Sequence, residues 1–113
     1  MGQNQSLSVN AGVRDESTDK ILVHQAVSPN GDGINDFLLI EGIENYPGNK
    51  VAIINRDGTA VYNVNGYNNF DKVFDGHSNI SGRLQQPGTY FYMIEYSVDG
   101  QLRRKTGYFI LKF

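Results

Sequence analysis

Thr89-Tyr90-Phe91-Tyr92-Met93-Ile94-Glu95-Tyr96-Ser97-Val98, followed by Asp99-Gly100 and then Gln101 to Phe113, is the stretch whose reading decides the fold. Tyr90, Tyr92, Ile94, Tyr96 and Val98 fall on one face of an extended chain, and Phe91, Met93, Glu95 and Ser97 on the other, which is the two-residue period of a strand lying over a core. Asp-Gly between two such runs predicts a two-residue hairpin turn, because both residues tolerate positive φ. Arg103-Arg104-Lys105 then lies opposite the Glu95 to Asp99 end, so a cross-strand charge arrangement is expected there. The alternative is a recognition surface for an acidic partner. Tyr90, Tyr92 and Tyr96 read as core; a sugar-stacking platform, the competing use of such rings, needs them exposed and flat.

Moving away from this hairpin, the same alternation recurs in shorter pieces. Gln86-Pro87-Gly88 is a turn into it. Lys50 to Asn55 and Thr59 to Val64 are two strands joined through Arg56-Asp57-Gly58, a strong hairpin signal. Ile21 to Val27 predicts a strand, with Ile21, Val23, Gln25 and Val27 on one face and Leu22, His24 and Ala26 on the other. Phe37-Leu38-Leu39-Ile40 is a continuous apolar run, as for a strand buried on both faces. Glu41 to Asn49 is a loop pinned by Ile43 and Tyr46 and closed by Pro47-Gly48. Asn65 to Gly88 is long for a structureless loop, so short strand pairs are expected inside it, with its aromatics, Tyr67, Phe70 and Phe74, turned inward. Residues 1–20 read as a flexible linker or tail of a longer parent protein, with a loose edge strand around Leu7 to Val13, and 21–113 as one domain.

The whole is therefore expected to be all-β, an immunoglobulin-like antiparallel β-sandwich of about seven strands, with a small barrel as the rival. Composition agrees. The 113 residues include 13 glycines, 7 tyrosines and 6 phenylalanines, a balance that favours strands and turns. Charged residues make up 19% and the formal net charge is −2, which leaves no basic field for nucleic acid or an anionic membrane. No apolar run approaches the roughly 20 residues of a spanning helix, so direct membrane insertion is not expected. The count of cysteines is 0, which excludes disulfides and thiolate metal sites.

Ser28-Pro29-Asn30-Gly31-Asp32-Gly33-Ile34-Asn35-Asp36 is the stretch richest in chemistry. Pro29 fixes its own φ, and Asn30-Gly31 and Asp32-Gly33 are consecutive turn dipeptides. With Ser28 as the first position, Asn30, Asp32, the Ile34 carbonyl and Asp36 fall at the third, fifth, seventh and ninth places of a calcium loop. Asp at the first place and Glu at the twelfth, where Leu39 sits, are missing, so calcium would bind weakly. The other reading is a clasp, in which Asp32, Asn35 and Asp36 accept backbone N–H bonds and no cofactor is involved. Asp71 and Asp75 lack the cleft and nucleophile that acid–base catalysis needs. His24 and His77 have no second ligand at metal spacing. An enzyme is not expected.

Four signatures occur in order: Ser28 to Asp36; Gly42-Ile43-Glu44-Asn45-Tyr46-Pro47; Ile54-Asn55-Arg56-Asp57-Gly58 with Val61-Tyr62; and Pro87-Gly88-Thr89-Tyr90-Phe91-Tyr92 with Gly107-Tyr108. On these the chain, from about Val23 to its end, resembles the gliding-motility-associated C-terminal domain, the type B sorting domain of the bacterial type IX secretion system. Where that family usually has an aromatic in an Asn-Arg-Trp-Gly turn this chain has Asp57, and where it has Trp-Asp-Gly this chain has Phe74-Asp75-Gly76. The resemblance implies a sorting domain at the C-terminal end of a large cargo protein, read as a folded unit by the outer-membrane translocon and SprF-like partner proteins. It also implies export to the cell surface or the medium. The alternative is an extracellular adhesive or carbohydrate-binding module, for which Tyr62, Tyr67 and Phe70 would have to form an exposed coplanar patch.

Overall fold

The computed structural model of the chain describes residues 20–113. The strand expected around Leu7 to Val13, and the linker apart from Lys20, lie outside the described residues. Seven strands follow in order: β1 (Leu22–Val23), β2 (Ala26–Val27), β3 (Ile40–Glu41), β4 (Lys50–Ile54), β5 (Ala60–Asn65), β6 (Gly88–Val98) and β7 (Gln101–Leu111). One 3-10 turn, Ile43–Asn45, lies between β3 and β4. The main sheet has the order β2-β7-β6-β4-β5, and β1 pairs with β3 in a second layer. This is the expected immunoglobulin-like β-sandwich.

The β6–β7 hairpin forms as its alternation predicts. Its register runs from Gly88 opposite Leu111 to Val98 opposite Gln101 without interruption. Asp99 and Gly100 both take positive φ, 52° and 79°, the backbone of a primed turn whose twist matches the flanking strands. Tyr90, Tyr92, Ile94 and Tyr96 are buried, and Phe91 and Met93 are not. The β4–β5 hairpin also forms, with a bulge: Ile53 faces Tyr62 while Ile54 faces Ala60. The extra residue explains why Val61 and Tyr62, consecutive in sequence, are both buried.

Several expectations are corrected. Ile21 to Val27 is not one strand but two, because the chain changes layers in its middle. His24 N–H donates to the Leu39 carbonyl of the second layer at 2.9 Å, whereas the Gln25 carbonyl accepts from Ile110 of the main sheet at 2.9 Å. From there β2 runs parallel to β7, Ala26 beside Ile110 and Val27 beside Leu111, so the sandwich is not wholly antiparallel. Phe37 to Ile40 is not a strand buried on both faces. Leu38 and Ile40 are buried, Phe37 and Leu39 are half-buried, and only Ile40 enters a strand.

Residues 66–87 do not form strand pairs beyond an isolated bridge between His77 and Leu84. Asparagine amides take the place of strand partners. The Asn69 side chain accepts from Ile40 N–H at 2.9 Å and donates to the Ile40 carbonyl at 2.6 Å, copying both bonds of a paired residue. Asn79 does the same to Asn63 on the edge of β5, at 3.0 and 2.7 Å. Asn49, fully buried, accepts from Tyr67 N–H at 2.9 Å and donates to the carbonyls of Tyr46 and Tyr67 at 2.8 and 3.0 Å. Buried backbone groups must be paired somewhere, and here a carboxamide does it without a second strand.

Tyr67 and Phe74 do turn inward, but Phe70 is 86% exposed. Asn68 Oδ1 accepts the N–H groups of Phe70, Asp71 and Lys72, and Asn69, with φ of 65°, reaches back to Ile40. That tight turn leaves Phe70 pointing to solvent.

Phe74, fully buried, is the centre of the aromatic core. Its ring meets Tyr62 at 5.4 Å, Phe109 at 5.8 Å and Tyr90 at 6.4 Å, tilted or edge-on contacts that suit the ring quadrupole. Ile43 is buried, and Tyr46 lies against Tyr96 at 5.0 Å, so both pin their loop.

Candidate functional site

Three of the four sequence signatures meet at one end of the sandwich. β2 ends with Val27 beside Leu111, β6 begins with Gly88 opposite the same Leu111, and β4 ends with Ile54 opposite Phe91. The loop after β2, the turn after β4 and the segment before β6 therefore emerge together. The fourth signature, Gly42 to Pro47, precedes β4 and so sits towards the other end.

The loop Ser28 to Asp36 is closed by its own oxygens. Ser28 N–H donates to the Asn35 carbonyl at 2.6 Å, and Asn35 itself sits at φ 56°. Asn30 Oδ1 accepts from Asp32 N–H at 3.1 Å and Asp32 Oδ1 from Ile34 N–H at 2.9 Å. Asp36 accepts from Gly31 N–H at 3.0 Å through one oxygen and from Gly33 N–H at 2.7 Å through the other. Such bonds to a charged carboxylate are the stronger kind. Ile34, at the tip, is exposed. Among the described residues no three His, Cys, Asp or Glu side chains are grouped to hold a metal ion.

This loop is anchored through Pro29 to Phe74-Asp75-Gly76. Gly76 has φ of 99°, and a Cβ on it would come to 3.2 Å from Pro29 Cγ and 3.3 Å from Leu84 Cδ1, so both backbone freedom and the missing side chain are needed there. Leu38 N–H donates to the Phe74 carbonyl and Gln85 N–H to the Gly76 carbonyl, each at 2.8 Å. Asp75 accepts from the backbone and ring nitrogens of His77, both at 3.1 Å. Tyr67 Oη accepts from Phe74 N–H at 3.0 Å and donates to the Leu38 carbonyl at 2.5 Å, which ties the chain just after the loop to its Phe74 anchor.

Beside this clasp lies a polar cleft of about 460 Å³ between Asn55-Arg56-Asp57 and Gln85 to Tyr90, with Pro87, Gly88 and Thr89 in its wall. Asn55 Oδ1 shapes the turn by accepting from Asp57 and Thr59 at 2.9 and 3.0 Å, and Gly58 takes φ of 84°. Tyr90 Oη donates to the Gln86 carbonyl at 2.6 Å and fixes the opposite wall. The cleft presents carboxamides, a guanidinium and a carboxylate.

The remaining candidates are dispersed. Asp71 accepts from Asn68 Nδ2 at 2.6 Å and Asp75 is engaged by His77, so each carboxylate is held by its own neighbour. His24 is half-buried and pairs with Glu41 across β1 and β3. Arg104 pairs with Glu95 at 2.7 Å across the β6–β7 hairpin, the cross-strand arrangement expected from the sequence. Tyr62 and Tyr67 are buried and meet at 79°, so with the outward Phe70 they form no coplanar sugar platform. Burial, with a smaller contribution from the Asp75 carboxylate, pushes the Tyr62 phenol up to about 12. Burial likewise raises Tyr67, against the opposing effect of its bond from Phe74 N–H, and raises Tyr90 and Tyr92. All four stay neutral well above neutral pH, as core groups and not as acids or bases.

Sequence reading missed Asn49, Asn69 and Asn79, which hold the irregular layer, because nothing in an asparagine-rich loop says which distant backbone each amide meets. No helix among the described residues is long and apolar enough to cross a membrane. A search of curated proteins finds no match. The family model described as CHU_C Type IX secretion signal domain matches residues 21–111, which take in all seven strands, the clasp and both walls of the cleft. The chain that folds in this way therefore belongs to the type IX secretion signal domain family.

Proposed function

We propose that the domain is a non-enzymatic sorting domain, carried by a large cargo protein on its N-terminal side, and read as a folded unit by the outer-membrane translocon and its SprF-like partners. The observation that carries the reading is the extent of the family match: residues 21–111 coincide with one complete sandwich. The family is one of secretion signals, which implies export and attachment to a cargo, and it is not a family of enzymes. Recognition of shape is supported by what the signature residues do. Asp32, Asp36 and Tyr90 bond within the domain through their side chains and Gly76 packs against Pro29, so a reader of short linear peptide would find these residues already engaged. On the same reading the Ser28 to Asp36 loop is a clasp and takes no calcium.

The test is a fusion of the full chain to the C-terminus of a reporter bearing an inner-membrane export signal, in a type IX-competent bacterium. Reporter at the cell surface or in the medium is expected, and reporter held in the periplasm with a folded domain overturns the reading. For the clasp, adding calcium to chelated protein should leave the melting temperature unchanged; a rise of several degrees would assign the loop a metal.

A further inference from the structure

We propose that the outer face of the main sheet is the surface that docks onto an apolar surface of the secretion machinery, a proposal that rests on the sorting function above. The strand register brings Ile54, Phe91 and Tyr108 into one row across β4, β6 and β7, and Ala52, Met93 and Thr106 into the next. Ile110 extends the patch towards Ala26 of β2. These residues point away from the core, which takes Tyr90, Tyr92, Ile94 and Phe109 from the same strands. Along this part of the central strands both faces are largely apolar, although an antiparallel sheet with one solvated face ordinarily alternates apolar with polar.

Exposure of the large apolar side chains in the patch runs from 36% for Met93 to 48% for Tyr108. Ile54, Phe91, Met93 and Tyr108 wall a shallow groove of about 470 Å³. Charge borders the patch at the row Lys50, Glu95 and Arg104, where Glu95 and Arg104 pair at 2.7 Å, and at the far end at the exposed Lys112, two residues beyond Ile110. An uncharged partner surface of aliphatic and aromatic side chains fits this face.

Area chooses between occupants. The patch offers on the order of 400 Å² of apolar surface, within the range of functional patches on monomers and about half of what each partner gives to a standard stable interface. That is too little for an obligate pair of copies and suits a transient contact, which a transported cargo must leave again. The neighbouring route, addition of a strand to the β5 edge, is obstructed because Asn79 occupies both backbone groups of Asn63.

The experiment uses the reporter fused to the full chain, as wild type, Thr106→Lys, and the double variant Phe91→Thr/Tyr108→Thr. Thr106 is exposed, so Thr106→Lys puts a charge in the patch without removing any packing, and Ser97→Lys on the same face outside the patch is the control. Export reduced at least tenfold by Thr106→Lys, with the melting temperature and the Ser97→Lys export at wild-type values, is the expected result. Wild-type export by a folded Thr106→Lys protein overturns the docking face while leaving the sorting function standing. Failure of the wild-type fusion itself to be exported overturns both. Concentration-dependent dimers of the purified chain that Thr106→Lys abolishes, or binding of the chain to phosphatidylethanolamine vesicles with the same sensitivity, would assign the face to a second copy or to lipid and overturn the proposal.

Discussion

The hairpin Gly88–Leu111 and the stretch 66–87 are about as long as each other and are held by opposite means. Every residue of β6, from Gly88 to Val98, faces a partner in β7, so the backbone satisfies itself and side chains are left to fill the core and the outer face. In 66–87 the isolated bridge His77–Leu84 is the single ladder contact, and besides local backbone turns the layer is held by side chains: Asn68 and Asn49 pair backbone groups within it, and Asn69 and Asn79 reach out to the backbone of Ile40 and Asn63. Mutations should therefore hurt in different places. In the hairpin, deleting a polar side chain removes a side chain. In the irregular layer it removes the partner of a backbone group, at Tyr67 a buried one.

The largest effect expected from this contrast is at Asn49. Asn49→Ala leaves the buried Tyr67 N–H and carbonyl without partners, while the Tyr46 carbonyl keeps its bond from the residue-49 N–H, and should cost roughly 2–4 kcal/mol, read as the shift of the urea midpoint. A cost under about 1 kcal/mol would mean that water can replace the amide and would erase the distinction. Asp36→Ala opens the clasp and should cost about 1–3 kcal/mol, with Asp32→Ala at or below the lower end because it loses one bond instead of two. Wild-type melting temperatures in both would make the loop a recognition surface.

Alkaline pH probes the core shared by the two regions. Tyr62 keeps its proton in the folded protein up to about 12, against an ordinary value of 10.0. Between those values the unfolded chain binds fewer protons than the native one, so stability is complete below about pH 10 and falls as pH rises further. The melting temperature should decline above pH 10, and the decline should be shallower in Tyr62→Phe, compared with the wild type at the same pH. The smallest effect belongs to the hairpin: Arg104→Ala removes a surface pair with Glu95 and should cost no more than about 1 kcal/mol, less at high salt. A larger loss, measured by denaturant midpoint, would show that the hairpin too depends on its polar side chains.

What was legible in the sequence follows the same division. Alternation from Tyr90 to Val98, the Asp99-Gly100 turn and the Arg56-Asp57-Gly58 hairpin are local signals, each decided by residues adjacent in the chain, and all three appear in the fold. Ile21 to Val27 also alternates as read at its apolar positions. Its division into β1 and β2 was hidden because it depends on Leu39 and Ile110, far away in sequence, each drawing a different half. Phe70 was misplaced for a related reason: its aromatic ring argued for burial, but the turn closed by Asn68 sets its direction.

At the candidate site, the signature residues could be named in advance, but not the purpose each oxygen serves. Two readings of Asp36 remain open in sequence because a carboxylate at that spacing suits a cation or an amide. The folded loop turns both of its oxygens onto Gly31 and Gly33.

By itself the sequence determined the all-β class, the long hairpin and the family to which the chain belongs, since periodicity and turn chemistry act over a few residues and signatures persist in order. The tertiary structure alone decided which asparagines replace strands, that three signatures converge on one end, and that Phe91, Met93 and Tyr108 share a bare outer face. Those are facts of strand register and long-range pairing, and a polar amide or an exposed apolar side chain carries no local mark of the partner it will meet.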